Sequence, residues 1–249
     1  MVYPTHPPHS SLVRADNAEA ELEQALKDGA DTLYFGHHFD CADVPPGIAA
    51  LREQLEILHL DNNYRFTSIS SRVTALTNLR WLNASYCSLR SVDSSIGRLS
   101  KLERLTLNNN MLTWLPLEMW QLRVLEELHI GNNKLRVLPG GLLFLPRLRD
   151  LTLENNPFYT REEVEGAAAA TYIPAQLVID CSACRISSRH YRVLTTFHSI
   201  LSHRDIPFVH FVCSDACAGH LSSRLEMYDQ SQRENKNNER RPTHATFDG

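Results

Sequence analysis

At 249 residues, with 43% hydrophobic and 22% charged side chains, the chain has an ordinary globular balance, which excludes collagen-like, coiled-coil and wholly disordered architectures. Twenty-five Lys and Arg against 29 Asp and Glu give a net charge of -4, so no overall positive field draws it to nucleic acid or anionic lipid. The longest apolar runs, such as Leu142 to Leu145 and Pro207 to Cys213, fall far short of the roughly 20 residues a bilayer span needs.

Residues 1–15 are expected to be disordered. Met1 to Ser10 has neither the charged nor the apolar region of a secretory signal, so the expected location is the cytosol, with the nucleus also open to it. In a reducing compartment, six cysteines read first as metal ligands, buried small residues or reactive thiols. Residues 16–29 are predicted to form an N-terminal cap helix, with Ala18, Leu22, Ala25 and Leu26 on one side and Gly29 as its stop.

Residues 30–158 are dominated by repetition. The segments LEILHLDNN (from Leu55), LRWLNASYC (Leu79), LERLTLNNN (Leu102), LEELHIGNN (Leu125) and LRDLTLENN (Leu148) start 24, 23, 23 and 23 residues apart and share the pattern LxxLxLxxN. Ala30 to Leu51 fits more loosely, giving about six units. In each, the L-x-L pair reads as a short strand with both leucines in the core. The following Asn (Asn63, Asn110, Asn133, Asn156) turns the chain, Cys87 takes that place in the third unit, and an apolar return segment follows, such as Leu112, Leu115, Pro116, Met119 and Leu122. No unit buries both faces alone, so stacking into a solenoid is predicted. Ser94 to Pro116 (SSIGRLSKLERLTLNNNMLTWLP) resembles the leucine-rich repeat of intracellular Ras-group proteins. That resemblance implies an α/β solenoid with parallel strands on its concave face and a role in protein binding, most members being scaffolds and adaptors.

Thr160-x-x-Glu163 reads as a capping box that opens a closing helix and linker over residues 159–175. Residues 176–228 hold Cys181-x-x-Cys184 and, after 28 intervening residues, Cys213-x-x-x-Cys217. Two close thiol pairs match structural zinc spacing; a redox pair or four unrelated buried cysteines are the alternatives, and His220 could replace one sulfur. His210, within an apolar strand, reads as packed. The second pair sits where a strand, Ile206 to Val212, meets a helix from Ser214, as in a small treble-clef-like module. Ile206 to His220 (IPFVHFVCSDACAGH) is similar to the zinc-knuckle segment of the leucine-rich-repeat-containing protein 58 group; that similarity implies an intracellular adaptor, with presentation of a bound protein to a ubiquitin ligase as one form of that role. Residues 229–249, with four acidic and four basic side chains and almost no large apolar ones, are expected to be a disordered tail.

The outward strand positions are the candidate partner-binding residues: Tyr34, with His37; His59 and Asp61; Trp81, Asn83 and Tyr86; Arg104, Thr106 and Asn108; Glu127 and His129; Asp150, Thr152 and Glu154. One half is aromatic and the other acidic. Trp81 and Tyr86, read as exposed and adjacent, are the expected anchors. No Gly-rich phosphate cradle, HExxH or GxSxG occurs, and only Cys41 and Cys87 lie outside the thiol set, so no enzyme activity and no small-molecule substrate are expected. The expected function is a monomeric protein-interaction adaptor or scaffold in signal transduction, with a structural zinc on Cys181, Cys184, Cys213 and Cys217. A ubiquitin-ligase substrate adaptor is one alternative. Nucleic-acid binding through the knuckle, using Arg185, Arg189 and Arg192, is the other.

Overall fold

The computed structural model describes residues 18–36, 42–166, 179–185, 187–188 and 192–239. The expected disordered N-terminus, most of the closing helix beyond Gly166, residues 240–249, His37, Cys41 and Arg189 lie outside the described residues. Numbered along the chain, the strands are β1 (Thr32–Tyr34), β2 (Ile57–His59), β3 (Ser68–Ile69), β4 (Trp81–Asn83), β5 (Ser91–Val92), β6 (Arg104–Thr106), β7 (Glu127–His129), β8 (Leu138–Pro139), β9 (Asp150–Thr152), β10 (Ile179–Asp180), β11 (Ser187–Ser188), β12 (Arg192–Ile200) and β13 (His203–Val212). The helices are α1 (Ala18–Asp28), α2 (Ser71–Thr74), α3 (Arg161–Gly166) and α4 (Asp215–Glu239), with short 3-10 turns in four of the return segments.

One strand per repeat builds a six-stranded parallel sheet in the order β1-β2-β4-β6-β7-β9. The register is strict: Leu33, Leu58, Leu82, Leu105, Leu128 and Leu151 lie side by side, all buried. Each is the middle residue of a three-residue strand, so its two neighbours necessarily point to the opposite, open face. Burial of such a leucine contributes about 1.5–3 kcal/mol, and every unit adds several from its return segment.

The turn asparagines hold the layers together. The Asn110 amide donates to the carbonyls of Ala84 (2.8 Å) and Leu107 (3.0 Å), and its oxygen accepts from Leu89 N–H (3.0 Å). Asn133 and Asn156 repeat this one and two units on. Each pays for one buried amide by satisfying backbone groups that have no strand partner. In the third unit Cys87 Sγ donates to Leu60 O at 3.2 Å, and burial pushes the thiol up to about 11.

At the N-terminal end, α1 buries Leu22 and Ala25 against the turn at Pro46–Leu51. Leu26, expected on the same side, is exposed instead. Gly29, with φ +63, ends the helix in a conformation that glycine adopts without strain. At the other end Thr160 and Glu163 form the reciprocal capping bonds of α3 (2.8 and 3.3 Å), whose described first turn is exposed.

The C-terminal segment does not hang from the solenoid. The β12–β13 hairpin is antiparallel, and β13 pairs in parallel with β8, aligning Phe208 and Val209 with Leu138 and Pro139. Ile206, Phe208, Val212 and, from α4, Cys217, Leu221 and Leu225 join the same core as the repeats. On the other face of β13, Val209 and Phe211 pack on Trp114, Leu117 and Val137. His203 Nε2 lies 2.8 Å from Leu151 O, on the last strand of the sheet. The described part of the segment therefore packs on the return side and at the β9 end.

The tail expected from Asp229 begins inside α4, which continues to Glu239. Asp229 itself is tied to His198 Nδ1 at 2.9 Å, and Tyr228 donates to Ser199 O at 3.0 Å. Beyond them the helix is polar and largely exposed. A packed helix costs little to extend, since each further residue adds a hydrogen bond without a new nucleus. Lack of apolar residues therefore did not stop it.

Candidate functional site

Alternation along the strands brings the outward residues into three rows across the open face. The first runs Ile57, Trp81, Arg104, Glu127, Asp150 and the second Tyr34, His59, Asn83, Thr106, His129, Thr152. Backbone bonds beyond the strands, Asn62 N to Ser85 O, Tyr86 N to Asn108 O, Asn109 N to Gly131 O and Asn132 N to Glu154 O, set Asp61, Asn108 and Glu154 in a third.

The aromatic half is a ladder. Tyr34 stacks on His59 with ring centroids 4.6 Å apart and planes 10° apart, and His59 meets Trp81 edge-on at 4.9 Å. The Arg104 guanidinium lies 5.7 Å above the Trp81 ring and bonds onward to Glu127 (3.3 Å). His59, a candidate from its strand position, is the middle rung, a stacking role that its position alone did not show. Trp81 differs from the expected exposed anchor: it is partly buried, and its indole N–H is enclosed without an acceptor among the described residues. Of the candidate aromatics on this face, Tyr34 and Tyr86 are the exposed ones, each 55% accessible.

Asp61 anchors the polar side of the ladder. Burial opposes its charge, but hydrogen bonding to His59 and Asn62 outweighs it and holds the carboxyl below the usual range. Asn83 Nδ2 donates to the same carboxylate at 3.1 Å. Further along, Asn108 Oδ1 accepts from Gly131 N–H at 2.7 Å and His129 lies 3.2 Å from the Thr152 hydroxyl, so both are held within the sheet surface. Asp150 and Glu154 are exposed and have no cationic partner among the described residues.

The thiols form a second site. Cys181 and Cys184 flank the turn between β10 and β11, which pair antiparallel; Cys213 follows β13, and Cys217 lies in the first turn of α4. The four sulfurs all lie within 4.8 Å of one another, with Cys184 to Cys213 at 3.7 Å and Cys213 to Cys217 at 3.6 Å. Four thiolates about 2.3 Å from a tetrahedral zinc would sit about 3.8 Å apart. The spacing therefore fits that ion and is far too long for a disulfide. Burial works against a Cys181 thiolate, yet the backbone N–H groups of Cys184, Ala183 and Cys213 bring it down to about 6. Hydrogen bonds to Cys217, Cys184 and Cys181 push Cys213 up to about 12. A divalent cation at their centre would relieve the crowding of the four sulfurs.

His210 is packed, as its setting in an apolar strand suggests. It is fully buried, lies 3.0 Å from the Thr196 hydroxyl and presses its ring onto Gly140, where any Cβ would overlap it. His220 is not part of the thiol cluster. Arg185, a candidate for phosphate contact, has its guanidinium 4.1 Å from the Trp120 ring of a return segment.

Residues 100–158 match the family model described as Leucine rich repeat. Among curated proteins none matches the chain. Among solved structures, a leucine-rich-repeat protein of Leptospira interrogans is 30% identical with a TM-score of 0.47, over 57% of this chain and 42% of that one. The leucine-rich-repeat ectodomain of the plant membrane receptor kinase GASSHO1/SCHENGEN3 from Arabidopsis thaliana, solved with CASPARIAN STRIP INTEGRITY FACTOR 2, is 28% identical with a TM-score of 0.48, over 53% of this chain and 16% of that one. The chain thus spans less than half the length of either. Among the described residues no helix is long and apolar enough to cross a membrane. By the family match and by their strand register, residues 100–158 are leucine-rich repeats, set within a six-stranded solenoid sheet.

Proposed function

We propose that the chain is a non-enzymatic protein-interaction adaptor of the cytosol or nucleus, which holds a partner protein on the open, concave face of its sheet. The observation that carries this reading is the aromatic ladder of Tyr34, His59 and Trp81 on the open face, with Tyr34 and, three residues past β4, Tyr86 each more than half exposed. Large rings held rigidly side by side bury much area at little entropic cost, which is what interface anchors do. Leucine-rich repeats in general serve as interaction surfaces, and the receptor ectodomain named above was solved with a second protein. The remaining candidates, Asp61, Asn83, Arg104, Asn108, Glu127, His129, Asp150 and Glu154, supply the polar rim. In the same reading Cys181, Cys184, Cys213 and Cys217 hold a structural zinc, which would contribute folding free energy to the C-terminal segment and no chemistry.

The test is affinity purification of the tagged full chain from native cells, comparing wild type with Trp81→Ala/Tyr86→Ala and with Cys213→Ser/Cys217→Ser. A partner lost only from the aromatic variant supports the reading. Identical proteins from all three overturn it. Cullin-type subunits lost only from the cysteine variant would promote the ligase-adaptor alternative.

A further inference from the structure

Resting on that reading of the open face, we propose that its occupant is an extended, basic segment of the partner. It would lie across the strands from the aromatic ladder and the Tyr86 ring to the carboxylates of Asp150 and Glu154.

Tyr86 is the first observation. The residue before the turn asparagine is Asn62, Asn109, Asn132 and Asn155 in four other units, all left-handed with φ between 54 and 63. Asparagine tolerates that conformation by bonding locally. A bulky aromatic does not, and Tyr86 occupies it at φ 53. Its ring contributes little to the core, being more than half exposed. Backbone strain kept at a position whose side chain adds little to the core points to a use outside the fold.

Charge selects the occupant. Among the outward strand positions Arg104 is the one cation, against the carboxylates of Asp61, Glu127, Asp150 and Glu154. Arg104 is already committed to Glu127 and Trp81. The neighbouring row along the strand starts is internally neutralised, with Arg80 on Glu56 and Glu103 and Arg149 on Glu126. Asp150 and Glu154, by contrast, are left with no cation of this chain among the described residues. Arginine suits both ends of the face, since its planar guanidinium stacks on rings and forks to carboxylates. The chain's own arginines do the former, Arg224 lying 4.2 Å from the Phe144 ring and Arg161 4.8 Å from that of Phe197.

Spacing sets the length. Trp81 and Asp150 are three strands apart, about 14 Å at the usual strand separation, and an extended chain covers that in about four residues. A partner motif with an arginine or aromatic side chain at one end and a basic side chain about four residues away fits the face.

The experiment selects peptides from a random displayed library on the immobilised full-length chain, then measures the affinity of the enriched peptides for wild type, Asp150→Asn/Glu154→Gln and Tyr86→Asn. The proposal expects Lys- and Arg-bearing peptides whose affinity falls about tenfold in the double carboxylate variant and in high salt. Tyr86→Asn should weaken binding while raising Tm by about 2–4 °C, because the asparagine relieves the backbone strain. Enriched peptides that are neutral or acidic, binding indifferent to the carboxylates, or no enrichment at all would each overturn the basic-segment proposal. If affinity purification still finds a partner that needs Trp81 and Tyr86, the adaptor reading survives that failure.

Discussion

Single residues in this chain show their roles through what they exclude. Cys87 fills an asparagine slot, and its buried thiol, raised to about 11, stays protonated at physiological pH. In the folded protein at pH 8 it should resist alkylation by iodoacetamide, with modification appearing only on unfolding, as peptide mass spectrometry can follow. Rapid labelling of native protein would mean that the turn opens. His210 is the acid-sensitive counterpart: burial foremost, then nearby His198 and arginines, lowers it to about 3. An unfolded histidine takes up its proton near 6.5, so the unfolded state binds more protons between those values. The stability that neutral His210 contributes is therefore complete above pH 6.5 and is lost as pH falls toward 3, at up to about 1.4 kcal/mol per unit. An Hε1 resonance that does not titrate from pH 7 to 5, together with falling Tm over the same range, is the expected NMR and thermal result. Titration near 6.5 in the folded protein would contradict the packing of this ring.

The elements differ in how far they could be read from sequence. A period of 23 residues with buried L-x-L pairs located the strands of the sheet to within a residue, because each is set by local alternation and by a leucine whose partner is one period away. The thiol pairs were legible for the same reason, since spacing within each pair is local. The union of β13 with β8 was not, as it joins a return segment to residues some 70 positions later and depends on Gly140 making room for His210. Nor was the left-handed backbone of Tyr86, which only the register with four asparagines exposes. Two substitutions test these elements by denaturant unfolding. Asn110→Ala removes two buried donations and one acceptance and should cost about 2–4 kcal/mol. Gly140→Ala should cost at least as much and loosen β13, because its methyl overlaps a ring with no room to retreat. A loss under about 0.5 kcal/mol for either would show that the layer or the union is not held as described.

At the scale of the molecule, the solenoid and the C-terminal segment share one core, while the cluster of four thiols ties only the latter. Stability in stacked repeats is nearly local, so removing the zinc proposed for the thiols should act locally too. With a zinc chelator, hydrogen exchange should rise in β12, β13 and α4 and remain low in β4, β6 and β7; uniform exchange throughout would mean that the solenoid depends on the thiol site. Among the described residues that segment docks on the return side, away from the face proposed to hold a partner. The most direct measurement is hydrogen exchange of the full chain, alone and with the partner that it retains from native cells. Protection concentrated at residues 81–86, 104–108 and 150–154 is the predicted result. Protection confined to the return segments or to α4, with the strand face unchanged, would contradict recognition by the open face of the sheet.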